Sequence, residues 1–261
     1  MRIALGIEYN GSAFCGWQTQ SSGCGVQDAL EPALAGIAGA KIATICAGRT
    51  DAGVHALAQV VHFDCTAARP ESAWVRGTNA ALPASVAATW ARPVTDEFNA
   101  RYSARERCYR YVLLNHPVRP AVNQGRVGWF HAALDIARMC EAAPYLLGEH
   151  DFSAFRSAEC QAKSPVRVLQ RLDIRRSGEY VVFELAANAF LHRMVRNIVG
   201  CLVYVGKGRH APAWIGEVLA SRNRALAAPT MDAAGLYLAH VSYDAKWGLP
   251  PLARRAWFDG N

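Results

Sequence analysis

The sequence predicts an α+β protein built on a central, mostly antiparallel sheet. Three observations carry the prediction. Strand-like runs closed by turn residues alternate with amphipathic helical stretches, in the order β-α-β-β-α-β, and that order occurs twice along the chain. At 261 residues, 52% hydrophobic and 19% charged, the chain is long enough to bury a sizeable core. Gly and Pro number only 21 and 12 and mark boundaries, so the composition is neither disordered nor low-complexity.

The elements follow in order. Arg2 to Tyr9 alternates as a strand and ends at the turn pair Asn10-Gly11. Val26 to Ile37 is a helix with Val26, Leu30, Leu34 and Ile37 on one face. Lys41 to Ala47 is a short β-prone run, and a polar loop from Gly48 to Val54 separates it from a strand at Ala58 to Phe63. A helix at Glu71 to Ala80 and a strand at Ser85 to Arg92 complete the first half. In the second half, a strand at Arg105 to Leu114 precedes a helix at Asp135 to Leu147, with Asp135 near its N-cap. Strands at Val166 to Arg176 and Glu179 to Ala187 flank the turn Ser177-Gly178. A helix at Phe190 to Val205, continued after a break by Pro212 to Ser221, leads to a last strand at Leu236 to Tyr243. Each half therefore has a ferredoxin-like order, and the expected domains are residues 1–104 and 105–261. The best linker is Asn115 to Arg126, which carries Pro117 and Pro120, and the tail after Asp244 is expected to be irregular.

The longest apolar run, Ile198 to Gly206, is nine residues, too short to span a bilayer, and Glu8 interrupts the only apolar run near the N-terminus. A soluble, cytoplasmic protein is expected. The eight cysteines never adopt the two-residue spacing of zinc or redox pairs, so they read as small buried hydrophobes in a reducing compartment rather than a disulfide framework. His55 and His62 are seven apart with no Glu between them, which fits no helical metal motif, and metal is not indicated.

The net charge is +7, carried by 24 Arg and only 4 Lys. Three windows, 92–126, 153–176 and 190–210, each net +4, leaving the rest of the chain at −5. Arginine's forked donors suit phosphate and its plane stacks on bases, so this asymmetry points to a polyanion such as RNA. An Ala- and Arg-rich codon bias would produce the same composition without any such partner.

The most informative segment is Cys46-Ala47-Gly48-Arg49-Thr50-Asp51-Ala52-Gly53-Val54-His55. Two glycines bracket a polar turn between strand-like runs. Arg49 and Asp51, two apart, share a face if the segment is extended. An Arg neighbour favours the ionised carboxylate that a nucleophile or base requires. On these residues alone a turn-forming Asp or a structural Arg–Asp clamp is the favoured reading.

The stretch Ala47 to Ala56 closely resembles the catalytic loop of TruA-type tRNA pseudouridine synthases. Other segments resemble that family in the same order: Ile7-Glu8-Tyr9-Asn10-Gly11 with Gly16-Trp17-Gln18, then Tyr109-Arg110-Tyr111, Asn188 to Gly200, and Gly235-Leu236-Tyr237-Leu238. Cys15, Cys108 and the tail beyond residue 244 are less typical of it. The resemblance implies the pseudouridine synthase fold and the isomerisation of uridine to pseudouridine at tRNA positions 38, 39 and 40, in the anticodon stem-loop, by a homodimer that uses no cofactor. It makes Asp51 the nucleophile, at uracil carbon 6 or sugar carbon 1′, or a base in a glycal route. It assigns Tyr109 to packing on the target base, Arg49 to extruding and orienting that base, Arg196 to holding Asp51 ionised, and Leu236 to an apolar wall under the uracil. Phe14 and Trp17 are candidates for stacking on bases, with core packing as the alternative. A non-catalytic RNA-binding protein on the same scaffold is the competing function. An aspartate-dependent hydrolase is disfavoured, because Asp51 has no second acid near it in sequence.

Overall fold

The computed structural model describes residues 1–250, which form an α+β protein of two compact units: Met1–Glu106 with residues 237–250, and Arg107–Leu236. In the first unit the strands are β1 (Arg2–Tyr9), β2 (Ile45–Cys46), β3 (His55–Asp64) and β4 (Val86–Val94), with helices α1 (Val26–Ala38) and α2 (Glu71–Ala81). β1 lies between β3 and β4, antiparallel to both, and β2 runs antiparallel along the outer edge of β3. This is the β-α-β-β-α-β order expected from the sequence. The last strand of the chain, β10 (Leu236–Tyr243), joins the same edge of β3, parallel to it, at Tyr237↔His55 and Leu238↔Ala56.

Period-2 alternation builds the core of this unit. Ile3, Leu5 and Ile7 of β1 stand opposite Phe63, Val61 and Gln59 of β3, and all six are buried. The helices cover this face; Trp74 of α2 meets Phe63 edge-on with ring centroids 5.2 Å apart. Leu30 and Leu34, on the stripe the sequence predicts for α1, are fully buried. His62, by contrast, accepts the Ala100 N–H at Nδ1 (3.0 Å) while 3% exposed. Burial, with Arg2 adding to it, lowers its pKa. The folded state thus keeps this imidazole neutral to lower pH than the unfolded chain does. Its contribution to stability is complete above about pH 6.5 and is lost as pH falls from there toward the folded-state value. Melting curves between pH 7.5 and 5 should show this decline in the wild type and a flatter profile in His62→Asn; parallel profiles would exclude His62 as the cause.

The second unit holds β5 (Ala104–Asn115), β6 (Gly128–Phe130), α3 (Ile136–Ala142), β7 (Gly148–Asp151), β8 (Val166–Ser177), β9 (Tyr180–Ala187), α4 (Met194–Gly206) and α5 (Trp214–Ser221). β9 pairs antiparallel with β5 and β8, β7 extends the sheet beyond β8, and β6 runs parallel to the end of β5. The Pro-bearing stretch between β5 and β6 is a series of turns inside this unit. Asp135 caps α3 as expected, accepting the Arg138 N–H at 3.2 Å, but the helix gives way to a 3-10 turn at Ala143–Leu146, where Pro144 lacks the N–H of a further helical bond.

α4 begins four residues later than its apolar pattern suggests. Arg193 occupies the left-handed region (φ 61°), so residues 188–193 form a turn that hands the chain from β9 to the helix. Once started, α4 is buried on nearly every side, Arg196 and Tyr204 being its two less buried residues. That explains why its sequence is apolar all round. β7 escaped the sequence reading because Gly-Glu-His-Asp carries no strand signature; pairing with β8 makes it a strand. Residues 251–261, the end of the expected irregular tail, lie outside the described residues.

Candidate active site

The loop between β2 and β3 is held from several sides. The Ala47 N–H donates to Val60 O (2.8 Å), continuing the β2–β3 ladder by one bond. At Gly48 the chain turns away, and the buried Gln59 side chain meets it there: Nε2 donates to Gly48 O at 2.6 Å and Oε1 accepts the Gly48 N–H at 3.4 Å. Thr50, 7% exposed, shares a 2.8 Å hydroxyl contact with the Tyr9 phenol, and its carbonyl accepts the Trp17 N–H at 3.0 Å. Past Asp51 the chain closes a tight turn, Val54 N–H to Asp51 O (3.1 Å), which Gly53 completes at φ +77°.

The result is an alternation. Thr50 is buried, whereas Arg49 is exposed and Asp51 half-buried. A neighbouring thiol is no rival nucleophile, because burial pushes the Cys46 pKa up to about 12 against the opposing pull of Arg49. Burial likewise raises the Tyr9 phenol far above its ordinary value, so it stays a neutral hydrogen-bonding group.

A second turn backs the loop. Cys15 and Cys24 form a disulfide with Cα atoms 5.4 Å apart, and the Cys15 N–H donates to Cys24 O at 2.9 Å. This corrects the expectation that all eight cysteines are reduced and mostly buried: the chain folds residues nine apart into contact, and Cys15 and Cys140 are exposed. Trp17, two residues on, is 2% exposed and packs beside Tyr9 (6.1 Å), which removes it as a base-stacking candidate; Phe14 is half-buried. Closing so short a loop constrains the unfolded chain by about 2.5 kcal/mol. Cys24→Ser should lose about that much stability under oxidising conditions and nothing when both proteins are unfolded in reductant. Equal stabilities without reductant would show that the bond does not form in solution.

The remaining candidates belong to the second unit. Tyr109 lies on β5 opposite Leu185, 8% exposed, with its ring edge-to-face against Phe190 at 5.1 Å. Tyr111, two residues along the same face, is wholly buried and donates from its phenol to Asp232 O at 2.9 Å. Arg196 leaves the first turn of α4, and its Nε donates to Met231 O at 2.7 Å while the Met231 N–H returns a bond to Arg196 O at 3.3 Å. Thr230, just before, bonds the fully buried Asn197 at 2.6 Å, so residues 230–232 are tied to α4 and β5 side by side. Leu236, 6% exposed, opens β10.

Arg49 and Asp51 thus share one loop of the first unit, and Tyr109, Arg196 and Leu236 are in the second. Among the described residues no cluster of three His, Cys, Asp or Glu is arranged to hold a metal, and no helix is long and apolar enough to cross a membrane. Sequence reasoning missed Gln59 and Tyr9. The available signal was an amide inside the apolar run of β3, since a polar side chain on a core face is the informative exception.

Comparison with known proteins adds a family. The profile of the tRNA pseudouridine synthase family matches residues 6–103 and 142–244. A protein of Thiobacillus denitrificans described as tRNA pseudouridine synthase A is 59% identical over 255 residues, 98% of each chain. Proteins of the same description from Burkholderia thailandensis and Burkholderia mallei are each 58% identical over 251 residues, covering 96% of this chain and 93% of theirs.

Proposed function

The chain belongs to the tRNA pseudouridine synthase family, and on that premise we propose that it isomerises uridine to pseudouridine at positions 38, 39 and 40 of the tRNA anticodon stem-loop, with Asp51 as the nucleophile. The observation that carries the residue assignment is the geometry of its loop. Asp51 is half-buried on a strip whose backbone is fixed at Gly48, at Thr50 and at the turn to Val54. A carboxylate held in this way reaches substrate without paying to be ordered at the moment of reaction.

The chemistry asks little else of the protein. The N1–C1′ bond breaks, the base turns within the pocket, and a C5–C1′ bond forms. The C5 proton leaves to solvent, and N1 gains one. Asp51 adds to carbon 6 of the base or to carbon 1′ of the sugar and is released when the new bond is made. The detached uracil must be retained, which suits apolar and aromatic walls such as Leu236 and Tyr109, both buried and both on strand positions. Arg49, exposed in the same loop as Asp51, would meet phosphate or guide an extruded base in this reading. The role of Arg196 in keeping Asp51 ionised rests on the family resemblance alone. The basic windows make binding salt-dependent. The homodimer and the cytoplasmic location belong to the same proposal and rest on the family resemblance.

The test uses an unmodified tRNA transcript with tritium at carbon 5 of its uridines. Release of label to water is expected, and its loss when positions 38, 39 and 40 are all changed to cytidine. Release that persists in the changed transcript would place the target elsewhere. Binding without any release would leave only the RNA-binding function.

A further inference from the structure

Resting on the assignment of Asp51 above, we propose that Gln59 is a positioning residue for the isomerisation: its side-chain amide binds both backbone polar groups of Gly48 where the β2–β3 ladder ends, and so sets where the Asp51 loop leaves the sheet. The register shows where the ladder ends. Ile45 pairs with His62 and Cys46 with Val61, and the Ala47 N–H still reaches Val60 O. One step further Gly48 would stand opposite Gln59 as a pair that exchanges no backbone bond, because bonded and non-bonded pairs alternate in an antiparallel ladder. Instead both polar groups of Gly48 meet the Gln59 carboxamide, the carbonyl at 2.6 Å from Nε2 and the N–H at 3.4 Å from Oε1. A carboxamide is the side chain that offers donor and acceptor together in peptide-like spacing, and Asn is one methylene shorter.

Folding alone asks for something else here. Gln59 is 0% exposed and faces the helix-covered side of the sheet opposite Ile7, in line with the apolar Val61 and Phe63. Burying an amide in such a row is unfavourable unless its bonds are made, and an apolar residue is the ordinary solution. What the amide adds is direction. The Tyr9 phenol, also buried, lies 3.5 Å from Gln59 Nε2 and 2.8 Å from the Thr50 hydroxyl. Gln59 and Tyr9 therefore fix Gly48 and Thr50, the two residues that alternate with Arg49 and Asp51. Sliding or tilting either pin moves the Asp51 carboxylate relative to a base held by other parts of the enzyme, and displacements near 1 Å are enough to slow chemistry greatly.

The experiment compares wild type, Gln59→Met and Asp51→Ala for tritium release under saturating tRNA, for KM, and for thermal unfolding. Met keeps the length and volume of Gln and removes the two hydrogen bonds to Gly48 and the one to the Tyr9 phenol. The expected result for Q59M is a kcat lowered about 100-fold with KM for tRNA within about twofold, in protein fully folded at the assay temperature. A lowered melting temperature with unchanged kcat would make Gln59 a stabiliser of the fold and overturn the proposal, as would a loss confined to KM. Should Q59M not fold, Tyr9→Phe, which removes one buried oxygen and keeps the ring, decides by the same criterion through Thr50. Inactive D51A beside fully active Q59M sinks the positioning role alone, whereas active D51A sinks the assignment of Asp51 itself.

Discussion

Asp51→Ala and Asp51→Asn lower kcat for pseudouridine formation by roughly 10⁴-fold or more, the scale seen when an essential nucleophile or its partner is removed. The Asn variant is the sharper case. It preserves the size of the side chain and much of its hydrogen bonding, so what is lost is the negative charge and the lone pair that would form the covalent bond. Binding should not suffer. Asp51 is half-buried near the exposed Arg49, and deleting an anion beside a polyanion leaves affinity equal or higher. The bonds that fix this strip at the Gly48 backbone, the Thr50 side chain and carbonyl, and the Asp51 carbonyl are present in both variants. Tritium release and tRNA binding, measured on the same preparations, separate the two quantities. Retention of release within tenfold of wild type in either variant would refute the nucleophile assignment.

Gly16→Ala lowers kcat about 100-fold by displacing the same loop from behind. Gly16 sits at φ +103°, where a Cβ is strained, at a cost of about 1–3 kcal/mol. Its new methyl would also lie 2.7 Å from Thr50 O and 3.1 Å from the Asp51 carbonyl carbon. Both are backbone atoms, so no rotamer change relieves the contact, and the loop must yield. Gly23 provides the control from the other end of the disulfide-closed turn. It too has a positive φ, +67°, but a Cβ there meets nothing within 4 Å. Gly23→Ala should lose comparable stability and keep wild-type kcat. If both variants lose activity in proportion to their melting temperatures, strain in the turn rather than pressure on the loop is responsible.

The alternation of Arg2 to Tyr9 and of Leu236 to Tyr243 places β1 and β10 at the bounds the sequence predicts, and the Val26–Leu30–Leu34 stripe is the buried face of α1. These features are local, since side-chain periodicity is fixed by backbone geometry within a few residues. The glycine-bracketed turn between β2 and β3 was legible for the same reason. Features set by distant residues were not. The start of α4 is delayed by the left-handed Arg193, within a turn where the Ser157 N–H bonds the His192 carbonyl. Trp17 is buried because the chain folds it beside Tyr9, and Cys15 and Cys24 meet because the turn between them closes.

The sequence by itself determined the order of the longer strands and helices, though not the short β6 and β7, together with the α+β class, the basic balance of charge and the chemical character of the Asp51 loop, all of which follow from residue type and spacing. Only the tertiary structure decided what holds that loop. Gln59 reaches back 11 residues to Gly48, and Tyr9 reaches forward 41 residues to Thr50. Those meetings are products of strand register and of the packing of one sheet face. A one-residue slip in that register would turn Gln59 to the opposite face of the sheet and leave the same sequence without its clamp.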